Sequence, residues 1–228
     1  EDRHLVDIAT RILAEEKGDL GITYAGFCLS SLPHRRLPDN QPWERKGPVM
    51  TLLIQPGRLY HGIGDKRTHV LHGVPYGSRA RLILLYLQTE AMRRKSSSVP
   101  MGRSMHDFMC RMGISNGGKS IRDVEEQANR ISACSLTFDW HGSGKTGWNA
   151  ERFVQSSGLI LTRSDSNQPR LWEDCVELST AFYKALTEHP VPVWSPAIRE
   201  ISNNSMALDI YAWLTYRLHS LRKATPIT

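Results

Sequence analysis

Residues 73–140 constrain this chain more than any other stretch. They read GVPYGSRARLILLYLQTEAMRRKSSSVPMGRSMHDFMCRMGISNGGKSIRDVEEQANRISACSLTFDW and parse as three helices and a strand. Ser78 can cap the first helix, where Ala80, Ile83, Leu84, Leu87 and Ala91 recur on one apolar face. Arg93, Arg94 and Lys95 fall in its last turn, where positive charge complements the helix dipole. A Ser-rich turn ending in Pro100 breaks the chain. A short helix over 104–112 follows, with Met105, Phe108, Met109 and Met112 at core spacing, and 113–118 is a second turn. Ser120 then caps a third helix, with Asp123 three residues on. Ile121, Val124, Ala128 and Ile131 gather on one side of it, and Arg122, Asp123, Glu126, Asn129 and Arg130 point the other way. Residues 135–140 alternate like a strand, and the Gly-rich HGSGKTG beyond them is a hairpin tip.

Helix, helix, helix, strand, hairpin is the order of a winged helix, whose third helix commonly lies in a DNA major groove. Pattern alone does not separate that reading from a three-helix unit that closes a small core. The outward face of the third helix carries Arg122 and Arg130 beside Asp123, Glu125 and Glu126, a mixture that an ordinary solvated face also shows.

Four blocks narrow the choice: GVPYGSRARLILLYLQTEA, GRS–MHDFMCRMG, the GGKS–RDVEEQANRIS helix with SLTF after it, and NNSMALDIYAWLTYRLHSL. Together they resemble plasmid-encoded replication initiators of the RepA type, over residue 32 to the end. The resemblance implies an α+β fold: a winged-helix DNA-binding domain with an antiparallel wing, then the helical start of a second winged-helix unit. It implies a replication initiator, not an enzyme. Such a protein binds iteron-type repeats in double-stranded DNA at a plasmid origin, distorts the duplex and recruits host replication proteins. A homodimer is compatible with it, and no cofactor is implied. On this fold, phosphate contacts fall to Lys119, Ser120, Arg103, the basic end of the first helix and Lys145 of the wing. Base contacts fall to Arg122, Glu126, Asn129 and Arg130.

Three divisions follow. Residues 1–72 supply an N-terminal helix, a loop arm and short strands that pack on the core. Residues 73–178 form the first winged-helix domain, and 179–228 a truncated start of a second. Within the first division, 2–17 is amphipathic, and 22–32 reads as a strand or short helix. Residues 32–48 are rich in Pro and charge and read as a loop or extended arm. Such a basic arm can lie along phosphates or simply connect elements. A strand over 50–57 follows, then a polar loop over 58–72 in which Val70 and Leu71 can add a strand beside the first. After the hairpin tip, 153–154, 158–162 and 171–178 are strand candidates. Ser179 caps a helix through Leu186, and HPVPVWSP reads as a rigid link. Ser195 and Pro196 start a short helix, and Asn204 or Ser205 starts a long one to about Leu221. Its Leu208, Tyr211, Leu214 and Leu218 face needs a partner, either the first domain or elements past Thr228. The chain accordingly reads as a fragment.

One motif competes. Gly113–Ser120 matches the phosphate-loop pattern G-x-x-x-x-G-K-S. That loop must leave a buried strand, whereas SMHDFMCRM has helical spacing, and LTFD comes too soon to be the next parallel strand. A nucleotide-binding protein is therefore the alternative, and a dimerisation module without DNA binding is another. Two residues separate His69 from His72, so on a strand their imidazoles face opposite ways. No HExxH or CxxC pattern occurs, so no metal site is called for. The four cysteines are scattered, with Cys110 and Cys134 at core positions, as expected of free thiols in a reducing cytoplasm. The net charge of +6 suits a polyanionic partner. No apolar run approaches the ~20 residues of a membrane span.

Overall fold

The computed structural model describes residues 20–61, 68–102, 104–115, 117–141, 151–154 and 175–221. The expected helix over 2–17, the strand candidate 158–162, Arg103, and the hairpin tip with Lys145 lie outside them. The fold is α+β, and every described strand pair is antiparallel.

The first described elements are strand β1 (Leu20–Tyr24) and helix α1 (Ala25–Leu29). Strands β2 (Trp43–Lys46) and β3 (Met50–Gln55) and a hairpin of β4 (Gly57–His61) and β5 (Thr68–His72) follow. Helix α2 (Gly77–Arg94), strand β6 (Ser98–Pro100), and helices α3 (Met105–Arg111) and α4 (Gly118–Ala133) come next. Strands β7 (Ser135–Trp140), β8 (Glu151–Arg152) and β9 (Cys175–Glu177) lead into the C-terminal part. That part is helix α5 (Thr180–Glu188), strand β10 (Pro190–Trp194), helix α6 (Ser195–Glu200) and helix α7 (Ser205–Ser220).

Helix α2 is the centre. Beyond the expected face, Leu82, Tyr86, Gln88 and Thr89 are also buried, so it is covered on nearly every side. Its buried polar side chains hold β1. Gln88 Oε1 accepts from Tyr24 N at 2.7 Å, and Thr89 Oγ1 accepts from Ile22 N at 2.9 Å. The other edge of β1 pairs with β10, Leu20 opposite Trp194 through Tyr24 opposite Pro190. HPVPVWSP is thus a strand more than a link. Pro190 and Pro192 are tolerated because the two-stranded sheet leaves their side of β10 without a ladder partner, while Val191 and Val193 turn inward.

The main sheet has the order β2-β3-β7-β8, with Leu52 opposite Phe138 at its centre and Ser135 opposite Arg152 at its rim. The strand and antiparallel return expected after the third helix are both present. Part of the expected arm, Trp43–Lys46, is a strand of this sheet, because Trp43 is fixed by its indole N–H to Ser31 O at 2.8 Å. The expected loop over 58–72 is instead the β4–β5 hairpin. Val70 pairs with Leu59 on β4, and the hairpin packs on α4. The end of the Ser-rich turn is β6, paired with β9.

Caps divide into two groups. Ser104, Ser179 and Asn204 accept from backbone N–H groups in the first turns of α3, α5 and α7. Ser78 and Ser120 do not cap. α2 begins at Gly77, whose N–H donates to Pro33 O at 3.0 Å, and α4 begins at Gly118 after Gly117. Docking of the arm and a glycine pair start these helices earlier than their serines do.

One core runs from Tyr24 to Leu208 and takes residues from all parts of the chain. α7 is tied to α2 by Arg81, whose side chain is 9% exposed. Arg81 Nε and Nη2 donate to the two Asp209 carboxylate oxygens at 2.6 and 2.7 Å, Nη1 to Gly77 O and Nη2 to Leu32 O at 2.8 Å each. Arg81→Ala removes one partner of a largely buried pair and leaves two carbonyls short of donors. It should lower stability by about 3 kcal/mol, read as a shift of the urea midpoint at unchanged slope.

Candidate nucleic-acid interface

Helix α4 has a buried side of Val124, Gln127, Ala128 and Ile131, set against α2 and the β4–β5 hairpin. Lys119 and Arg122 are exposed, and Ser120, Asp123, Glu125, Glu126 and Asn129 are half-buried. Lys119, Arg122 and Glu126 fall at i, i+3 and i+7, so they form one stripe along the outer side. Lys119 and Arg122 make no hydrogen bond or ion pair with any described residue.

Arg130 is not on that stripe. The expectation of an outward side chain fails, because its guanidinium is 3% exposed and fully engaged. Nη2 donates to Asp39 Oδ1 at 2.6 Å, Nη1 to Val74 O at 3.2 Å and Nε to Glu126 Oε1 at 3.1 Å. The Tyr76 ring lies under it, 5.2 Å from the centroid. Gly73 makes this possible. A Cβ there would sit 2.5 Å from Arg130 Nη1 and 2.8 Å from the Asp39 Cα, so only glycine lets arm and helix approach.

Glu126 is engaged as well. It also receives Tyr76 Oη at 3.3 Å and lies 3.5 Å from Arg36. A carboxylate held by two guanidiniums and a phenol has little acceptor capacity left for a base. Asn129 is half-buried, and its Oδ1 is buried without a hydrogen-bond partner among the described residues. Burial works to raise the pKa of Asp39. Hydrogen bonds and charge from Arg130, then Arg36, outweigh it and hold the carboxyl below its usual range. The spacing of Glu126 and Arg130, one helical turn apart, was the sequence signal that they pair. Asp39, Gly73, Tyr76 and Arg36 carried no comparable signal, because their contacts span dozens of residues.

With this geometry in place, likeness to known proteins decides the family. Residues 74–226, about two-thirds of the chain, match the family described as plasmid encoded RepA protein. The chain belongs to the RepA family. It is a plasmid replication protein of that family, whose members are replication initiators and generally non-catalytic. Comparison with curated protein sequences finds no match. Among solved structures, it is similar to the crystal structure of domains 2 and 3 of RctB (a selenomethionine derivative). The TM-score is 0.49 at 11% identity, over 84% of this chain and 68% of that one.

In this RepA-family chain the phosphate-loop pattern is not a phosphate loop. Gly113, at φ +68°, is the left-handed residue that ends α3. Its N–H donates to Cys110 O, and the Ile114 N–H donates to Met109 O, while Ile114 and Met109 are both buried. That is a Schellman cap with its hydrophobic contact. The first amides of the pattern are therefore bonded to a helix end, the loop leaves a helix instead of a strand, and no described sheet is parallel. Of the four free thiols, Cys28 and Cys134 are buried, and burial pushes both up to about 12. Cys110, expected in the core, is exposed because it lies on the outer side of α3 beside His106. Among the described residues no three metal-ligating side chains cluster, and no helix is long and apolar enough to cross a membrane.

The Asp39–Arg130 pair predicts a pH signature. Because Asp39 binds its proton more weakly in the folded chain, the unfolded chain takes up more protons in acid, and stability falls with pH there. The contribution should be complete above about pH 4 and disappear as the pH drops below that. Asp39→Asn should therefore be less stable than the parent at pH 7, and the difference should shrink as the pH falls below about 4, by chemical denaturation at each pH.

Proposed function

We propose that this chain binds repeated double-stranded sites at a plasmid origin and thereby initiates replication. In this reading residues 73–178 act as a winged helix. α4 is the reading helix, β7 and β8 are the base of the wing, and 179–228 open a second winged-helix unit. The observation that carries the reading is the stripe at the start of α4. Lys119 and Arg122 stand exposed, without a hydrogen bond or ion pair to any described residue, at the N-terminal end of a 16-residue helix whose other side is core. Positive charge at that end opposes the helix dipole, which a phosphate or base-edge acceptor would relieve. Lys119 with Ser120, Arg103 and Lys145 then serves phosphates, and Arg122 reads a base. Arg130 and Glu126 support the helix from within. Host replication proteins are the expected partners of the assembled complex.

A gel-shift series on the replicon's own repeats tests this. Arg122→Ala should weaken specific binding by about 1–3 kcal/mol, and should matter far less on random duplex. Lys119→Ala and Lys145→Ala should weaken both DNAs alike. Equal losses on both DNAs for all three variants would show that α4 does not read sequence.

Self-association is a second reading, favoured by one feature of α7. Met206, Ile210 and Leu218 are 57%, 50% and 67% exposed and recur every four or eight residues, so they make one apolar line. Sedimentation across a concentration range should show a dimer that Ile210→Asp weakens. A concentration-independent monomer would remove this reading and leave the first intact.

A further inference from the structure

The loop between α1 and β2 brings a second basic element to the stripe on α4. Arg36 reaches over the helix and contacts Glu126 at 3.5 Å and Asp39 at 3.1 Å, while remaining 57% exposed. Glu126 is one turn along α4 from Arg122, so the arm lies about 6 Å of helix axis beyond that side chain. Two guanidiniums, Arg36 and Arg130, face two carboxylates, Asp39 and Glu126, and this cluster is neutral. What remains beside it is Arg35, exposed and making no hydrogen bond or ion pair with any described residue.

The neighbours of Arg35 are both held. His34 Nδ1 lies 2.9 Å from Ser205 Oγ at the start of α7, and its Nε2 is 3.7 Å from Asp209. Arg36 is held by Asp39, and Asp39 by the buried Arg130. Arg35 is therefore an exposed guanidinium on a backbone anchored on both sides, one residue before the Arg36 that reaches α4. Anchoring lowers the ordering cost of any contact the residue makes. A planar guanidinium presents paired N–H donors that match phosphate oxygens.

We propose that the arm is part of the DNA interface: Arg35 clamps a backbone phosphate flanking the groove that α4 enters, and the Asp39–Arg130 pair latches the arm in place. The inference rests on the DNA-binding reading above and extends it to a residue outside the winged-helix segment. It also gives the buried Arg130 a function as a positioning residue.

The test uses the full chain, a random duplex and the origin repeat, titrated between about 50 and 200 mM salt. Each lost phosphate contact should flatten the logarithmic salt slope by ~0.9, or about threefold in affinity over that range. Arg35→Ala should show that change on both DNAs, with Arg35→Lys recovering part of it and the circular-dichroism melt unchanged. In an Asp39→Asn background the effect of Arg35→Ala should shrink, because a released arm no longer presents the side chain. If the parent binds neither duplex, the DNA-binding reading itself fails. If the parent binds, Lys119→Ala flattens the slope and Arg35→Ala does not, only the clamp is overturned. An undiminished Arg35 effect in the Asp39→Asn background overturns the latch.

Discussion

Near-complete burial of α2 is the constraint on which the rest of the fold depends. A helix covered on all sides must bring its polar residues to partners, and Gln88, Thr89 and Arg81 each have a long-range one. Gln88 and Thr89 satisfy the edge of β1 that faces them, and β10 satisfies the other edge. Arg81 draws in α7 and the start of the arm. An unsatisfied buried donor or acceptor costs about 1–3 kcal/mol, so these polar contacts specify which segments cover the helix, while apolar burial supplies most of the stabilisation.

α4 obeys a gentler version of the same rule. It is buried on one side only, so its charges divide into those that hold it and those that face outward. Glu126 and Arg130 hold it, with Asp39 and Arg36 from the arm. This division changes how the helix reads electrostatically. A face that seemed to mix two basic with three acidic residues loses one of each to the internal cluster, and its exposed residues at the N-terminal end are Lys119 and Arg122. Charge counted along a helix is therefore a poor guide until its buried partners are known.

What the sequence disclosed was local. Ser179 was legible as a cap, and Ser104 and Asn204 as the neighbourhood of helix starts, because a cap bonds within three residues of itself. The order of three helices, strand and antiparallel return was legible from periodicity. The β1–β10 pair was not, since its strands are 170 residues apart and the prolines of β10 signal a link. The β4–β5 hairpin was hidden by its histidines and exposed polar residues, whose strand pairing needs only one side on α4. At the candidate site, the exposure of Arg122 was legible because it follows helical phase. Arg130 has the same phase, and a carboxylate on a distant loop together with a glycine at 73 moved it inward.

The eight residues Gly113–Ser120 show how far a motif depends on what surrounds it. A phosphate loop works because successive amide N–H groups converge, unbonded, at the junction of a strand and a helix. Here the same letters join two helices, and the first two amides are already bonded to the end of α3. Gly113 supplies the left-handed turn, Ile114 fills the core, and the remaining glycines let α4 start without a side-chain cap. Such a turn fixes the angle between α3 and α4 through buried contacts at Ile114 and Met109. It leaves Lys119 at the exposed start of α4. The turn that departs from a phosphate loop is thus the same turn that leaves Lys119 exposed at the helix start.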